Sequence, residues 1–97
     1  MSYFVTISCQ INNPNPVMQQ QISQKLQGLG FSNVVKGRIG LSTLPPNTYA
    51  GEFNGESAVK IRDDLNERAT NALKEAGAKG SIFMLVSQNW TWAIRGL

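Results

Sequence analysis

Histidine is absent from the chain, and cysteine occurs once, at Cys9. Without an imidazole there is no His-based acid–base catalysis, no nucleophile triad and no His metal ligation. One cysteine cannot close an intrachain disulfide, and with no histidine beside it a Cys/His zinc site is excluded as well. A lone cysteine in an apolar stretch reads as a small core residue. No apolar run approaches the roughly 20 residues that a membrane span requires. The opening residues, Met1 to Cys9, lack the basic start of a secretory leader. The expectation is a soluble, cytoplasmic protein with no membrane partner, no metal and no small-molecule cofactor.

Acidic residues are missing from the first half. Before Glu52 the chain carries Lys25, Lys36 and Arg38 and no Asp or Glu, while all six acids lie at Glu52 or later. The net charge is +3. A locally positive half suits a polyanion such as nucleic acid, against the plainer reading of a mildly basic surface with no partner.

What is present fits one domain over residues 1–97. A hydrophobic content of 41% argues for a packed core rather than disorder. Tyr3 to Cys9 alternates, placing Tyr3, Val5, Ile7 and Cys9 on one face and Phe4, Thr6 and Ser8 on the other, which predicts a first strand. Asn15-Pro16 has the chemistry of a helix start. Met18, Ile22, Leu26 and Leu29 follow at helical spacing, Gly30 is a left-handed stop, and Phe31 is placed to fold back over the last turn. Val34–Ile39 predicts a second strand that Gly37 weakens. A loop over Leu41–Asn47 contains Pro45-Pro46, and Thr48–Phe53 predicts a third strand joined to the second as a hairpin. A second helix is marked by Ala58, Ile61, Leu65, Ala69, Ala72 and Ala76 on one stripe, with Gly77 at its end. Ser81–Val86 predicts a strand apolar on both faces, and Asn89–Arg95 a fifth, edge strand. This β-α-β-β-α-β order predicts an α+β, ferredoxin-like fold, an antiparallel sheet with two helices on one face.

The uncovered sheet face then carries Phe4, Phe83 and Leu85, joined by Trp90 and Trp92, more apolar surface than a monomer ordinarily exposes. Three readings compete: a homodimer interface built from these five residues, a platform stacking single-stranded RNA bases, or cover by the chain's own tail. A basic and aromatic run of the kind RNA-stacking strands carry is missing.

No catalytic constellation emerges. Most acids fall on the outer side of the second helix, where pairs such as Asp64 with Arg68 and Lys60 with Asp64 are four residues apart. Gly37-Arg38-Ile39-Gly40 lacks the Gly-Lys-Ser/Thr ending and following helix of a phosphate loop. The segment Gly37–Tyr49, with Arg38 and with Asn47 and Tyr49 at its end, is the candidate functional loop.

Three stretches, Gly30-Phe31-Ser32-Asn33-Val34-Val35, Leu44-Pro45-Pro46-Asn47-Thr48-Tyr49-Ala50-Gly51 and Glu56-Ser57-Ala58-Val59-Lys60-Ile61-Arg62-Asp63-Asp64-Leu65, resemble the GhoS-type antitoxin family in order and spacing. That family shares its ferredoxin-like fold with the small CRISPR-associated adaptation nuclease. The resemblance implies single-stranded RNA as partner, endoribonuclease activity on a toxin messenger RNA, and homodimers of the kind the related nuclease forms. With RNA as partner, the cations of the acid-free first half and the end of the candidate loop, Lys25, Lys36, Arg38, Asn47 and Tyr49, are the RNA-binding candidates. The metal-binding Asp that the related nucleases carry at the end of the first strand is replaced here by Ile7-Ser8-Cys9. In place of an arginine-bearing first helix stands Gln19-Gln20-Gln21-Ile22-Ser23-Gln24-Lys25. No family catalytic residue maps onto this chain. Metal-free cleavage would proceed by attack of a 2′-hydroxyl, with Arg38 or Lys25 stabilising the developing charge. The alternative is a non-catalytic homodimeric interaction module.

Overall fold

A computed structural model describes residues Met1–Leu97. The elements run β1 (Ser2–Ile11), α1 (Pro16–Leu29), β2 (Val34–Gly37), β3 (Gly40–Thr43), β4 (Thr48–Asn54), α2 (Ala58–Glu75) and β5 (Gly80–Ser87). β1 is the central strand, antiparallel to β4 on one side and to β5 on the other. Both helices cover the same face, giving an α+β, ferredoxin-like arrangement.

The core follows from alternation on β1. Tyr3, Val5, Ile7 and Cys9 are buried and meet Ile22 and Leu26 of α1 and Ile61, Leu65, Ala69 and Leu73 of α2. Ile82, Met84 and Val86 pack against the same cluster from β5. Val5, Ile7, Leu26 and Phe31 are the largest side chains removed almost wholly from water, each contributing about 1.5–3 kcal/mol of apolar transfer.

Helix ends form as their chemistry dictates. The Asn15 side chain accepts from Met18 N at 2.8 Å, with Pro16 in the first turn, so one of the otherwise unpaired donors is satisfied. Gly30 closes α1 at φ 108, and its neighbour Phe31 donates back to the Leu26 carbonyl. Phe31 thereby enters the core and meets Phe53 with ring centroids 4.9 Å apart. Ser57 caps α2 through Lys60 N. Gly77 follows the helix at φ 80.

Two segments depart from the sequence reading. The second strand does not run to Ile39, and the segment after it is not all loop. β2 stops at Gly37, Arg38 and Ile39 form a two-residue turn, and Gly40–Thr43 returns as β3 paired to β2. Neither central residue has a positive φ; it is Gly40, which closes the turn opposite Gly37, that takes the positive φ of 127°. The hairpin therefore closes within residues 34–43 rather than between the second strand and β4. Its joint to the main sheet is the bridge Ser32–Ala50, with reciprocal backbone hydrogen bonds of 2.8 Å.

The expected edge strand over Asn89–Arg95 does not form. The chain bends at Gln88-Asn89, where the Ser87 hydroxyl donates to the Asn89 carbonyl at 2.6 Å, and residues 90–97 have no regular structure. Alternation of aromatic and polar residues there serves ring contacts instead of a ladder.

Candidate nucleic-acid interface

The sheet face opposite the helices is fixed by register. Phe4, Thr6 and Ser8 of β1 stand across from Glu52, Ala50 and Thr48 on β4 and from Ser87, Leu85 and Phe83 on β5. The tail lies over part of it. Trp90 stacks on Phe4, with centroids 5.4 Å apart and planes 19° apart. Trp92 reaches the hairpin, where a Cβ on Gly37 would come within 3.1 Å of its ring. Val35 and Ala50 are buried yet stand outside the main core. Val35 shares the Gly37 face of the hairpin and Ala50 shares the Phe4 face of the sheet, so both lie on surfaces that the tail approaches. Of the three readings of the apolar face, cover by the tail accounts for this half. The β5 half stays open, with Phe83 65% and Leu85 54% exposed.

The opposite face of the hairpin points outward. Lys36 and Leu41 are cross-strand partners there, both exposed, and Arg38 and Ile39 form the tip. Ile39 is fully exposed. The whole hairpin, Val34–Thr43, contains no acid. Four ion pairs occupy Lys25, Lys60, Arg62 and Arg68. Lys36 and Arg38 are outside all of them, as are Lys74, Lys79 and Arg95. On α2, Arg68 pairs with Asp64 as its spacing suggests, whereas Lys60 takes Glu56 rather than Asp64.

The sequence-derived candidates do not assemble into one site. Lys36 and Arg38 come together on the hairpin. Lys25 lies on α1 and is held by Glu75 of α2 at 3.0 Å, tying the helix layer together. Asn47 is a turn residue at φ 63 whose carbonyl accepts from Cys9 N at 2.9 Å, extending the β1–β4 pairing. Tyr49 is buried in the core opposite Ile7, so it has no ring face to offer a base. Burial pushes the Tyr49 hydroxyl above its ordinary pKa, the nearby Cys9 adds to this, and a hydrogen bond with Ser23 opposes it. Burial likewise raises the Cys9 thiol, which removes it from the reactive class. No three of the Cys, Asp and Glu side chains converge as a metal site would require.

Two features escaped sequence reading. The first is the return strand β3, which carries the exposed Leu41 opposite Lys36 and whose four residues are too few to distinguish from loop. A cleft of about 670 Å³ opens between the end of α2 and the start of β5, with Ile11, Leu73 and Ile82 at its floor and Lys74 and Lys79 at its rim. Lys74 is in the last turn of α2 and Lys79 in the short connection to β5, so the reversal at Gly77 brings both to the same rim.

Comparison with protein-family models, with curated proteins and with solved structures finds no match in any of the three.

Proposed function

We propose that this protein binds single-stranded RNA through the outer face and tip of the β2–β3 hairpin. The observation that carries the reading is the pairing state of Lys36 and Arg38: two exposed cations on an acid-free hairpin, neither engaged by a carboxylate. Phosphates are the natural complement of such a site, since unpaired cations release counterions from a polyanion when they bind it. Ile39 and Leu41 add apolar surface beside the charges, against which unstacked bases can lie. The resemblance to GhoS-type antitoxins points to the same partner.

The central sheet face, the usual stacking platform of RNA-binding sheets, is engaged by Trp90 at Phe4. Contact is accordingly assigned to the hairpin. Residues 34–43 contain no group suited to act as a general base, so the hairpin can hold phosphates and stabilise negative charge but cannot take a proton from a 2′-hydroxyl. The activity proposed is binding, without strand cleavage at this site.

A labelled single-stranded RNA pool, titrated at low and high salt with and without chelator, tests the reading. Salt-sensitive binding with intact RNA is expected. Absence of binding at low salt refutes it, and cleavage that depends on the hairpin cations refutes its non-catalytic part.

A further inference from the structure

β5 is an edge strand: β1 pairs with one side of it, and no strand pairs with the other. Natural edges are ordinarily guarded by charge, proline, a bulge or brevity. Gly80-Ser81-Ile82-Phe83-Met84-Leu85-Val86-Ser87 has eight residues with no charge and no proline, and its pairing to β1 runs without a break. Phe83 and Leu85 are exposed beside that open edge.

The direction of the free backbone groups can be read from the ladder. Asn12 N donates to the Lys79 carbonyl at 2.7 Å, in line with the β1–β5 register in which Ile11 faces Gly80. Hydrogen-bonded and non-hydrogen-bonded pairs alternate in an antiparallel ladder. Lys79, Ser81, Phe83, Leu85 and Ser87 therefore bond toward β1, and Gly80, Ile82, Met84 and Val86 direct their N–H and C=O outward.

We infer that β5 is the seam of a symmetric homodimer, in which the edge pairs antiparallel with β5 of a second copy about a two-fold axis at Met84. Three of the four outward residues then find partners within the strand: Met84 faces Met84 across the axis, and Ile82 faces Val86 of the other copy, while Gly80 falls opposite Gln88, beyond the end of β5. Between them fall the close, non-hydrogen-bonded pairs, and these set Phe83 of each chain opposite Leu85 of the other. The two exposed apolar side chains thus cover one another twice, as an isologous interface requires. Moving the axis to Ile82 or Val86 shortens the paired length and separates these partners.

The area is that of a transient association. A two-fold at Met84 pairs the seven residues Ser81–Ser87, which extend about 24 Å, and with the 19 Å thickness of the molecule the seam amounts to at most about 450 Å² per copy, about 900 Å² in all, in the range of weak, transient interfaces. The seam does not involve the hairpin, and its test uses no RNA.

Sedimentation equilibrium of the full chain over a wide concentration range is expected to show a species of twice the 10.6 kDa protomer mass. The double variant Phe83→Lys, Leu85→Lys places like charges across the seam and is expected to weaken association by at least about tenfold. Phe83→Lys with Leu85→Glu sets opposite charges face to face and restores association relative to the double-lysine variant. Both pairs of changes lie at exposed positions, and circular dichroism verifies that the variants remain folded. Oxidation of a Ser81→Cys, Ser87→Cys variant is expected to yield a covalent dimer, since these positions are also paired about the Met84 axis. A protein that stays monomeric at the highest concentration overturns the proposal. So does a dimer that the double-lysine variant leaves intact, or one that the paired cysteines fail to cross-link.

Discussion

The indole of Trp90 lies nearly parallel on the ring of Phe4, 5.4 Å away between centroids, and this contact draws the irregular tail onto the sheet face that the helices leave uncovered. Stacked aromatic pairs are worth about 0.5–1.5 kcal/mol beyond their area. Phe4 sits on the central strand, so the tail is anchored at the middle of the sheet rather than at its margin.

Replacing Trp90 with Ala is expected to lower unfolding stability by about 1–2 kcal/mol, read from chemical denaturation. Trp90→Phe should recover most of the loss because the stacking surface persists. Phe4→Ala should red-shift tryptophan emission. An unshifted spectrum together with unchanged stability would show that the tail does not rest there.

Glycines 28 and 51 should respond in opposite directions. A Cβ at Gly28, inside α1, meets nothing within 4 Å, so Gly28→Ala is expected to stabilise by about 0.5–1 kcal/mol. At Gly51 a Cβ would collide with the Gly30 carbonyl oxygen and fall 2.9 Å from the Phe53 ring. Gly51→Ala must push β4 away from the end of α1 and is expected to cost about 1–3 kcal/mol. Thermal melts of the two variants decide the matter; equal midpoints would contradict the packing described.

Alkaline pH should weaken the fold through Cys9 and Tyr49. Burial raises both groups, so each holds its proton more tightly folded than unfolded. Stability is complete below the unfolded values, about 8.5 for Cys and 10 for Tyr, and falls as pH climbs above them. Denaturation midpoints are expected to be flat through neutrality and to decline beyond about pH 9. Cys9→Ala should blunt the earlier part of that decline. The folded protein should also resist thiol reagents until denatured.

Much of this fold could be read from residue patterns because those patterns were long. Alternation over Tyr3–Cys9, the α2 stripe from Ala58 to Ala76 and the Asn15 and Gly30 signals at the ends of α1 each involve several residues agreeing on one answer. The hairpin was harder. Val34–Gly37 is legible as a strand, but the four residues of β3 are too few for alternation to outweigh Gly40, and the turn at Arg38-Ile39 lacks the usual Asn-Gly chemistry. Trp90 and Trp92 alternate as strand residues do, yet the choice between a ladder and a stack depends on Phe4, 86 residues away from Trp90 in sequence. Of the site candidates, Lys36 and Arg38 were legible as charge without a local acid. Tyr49 was not separable from an exposed aromatic, because its burial depends on which face of β4 the helices cover.

The measurement that bears most directly on the account is the salt dependence of single-stranded RNA affinity for the native protein and for the Lys36→Ala, Arg38→Ala variant. Two lost phosphate contacts on a single strand should reduce the slope of log affinity against log salt by about 1.4, with weaker binding at low salt and convergence at high salt. A variant that binds as tightly as the native chain, with the same slope, would contradict the assignment of the hairpin as the nucleic-acid interface.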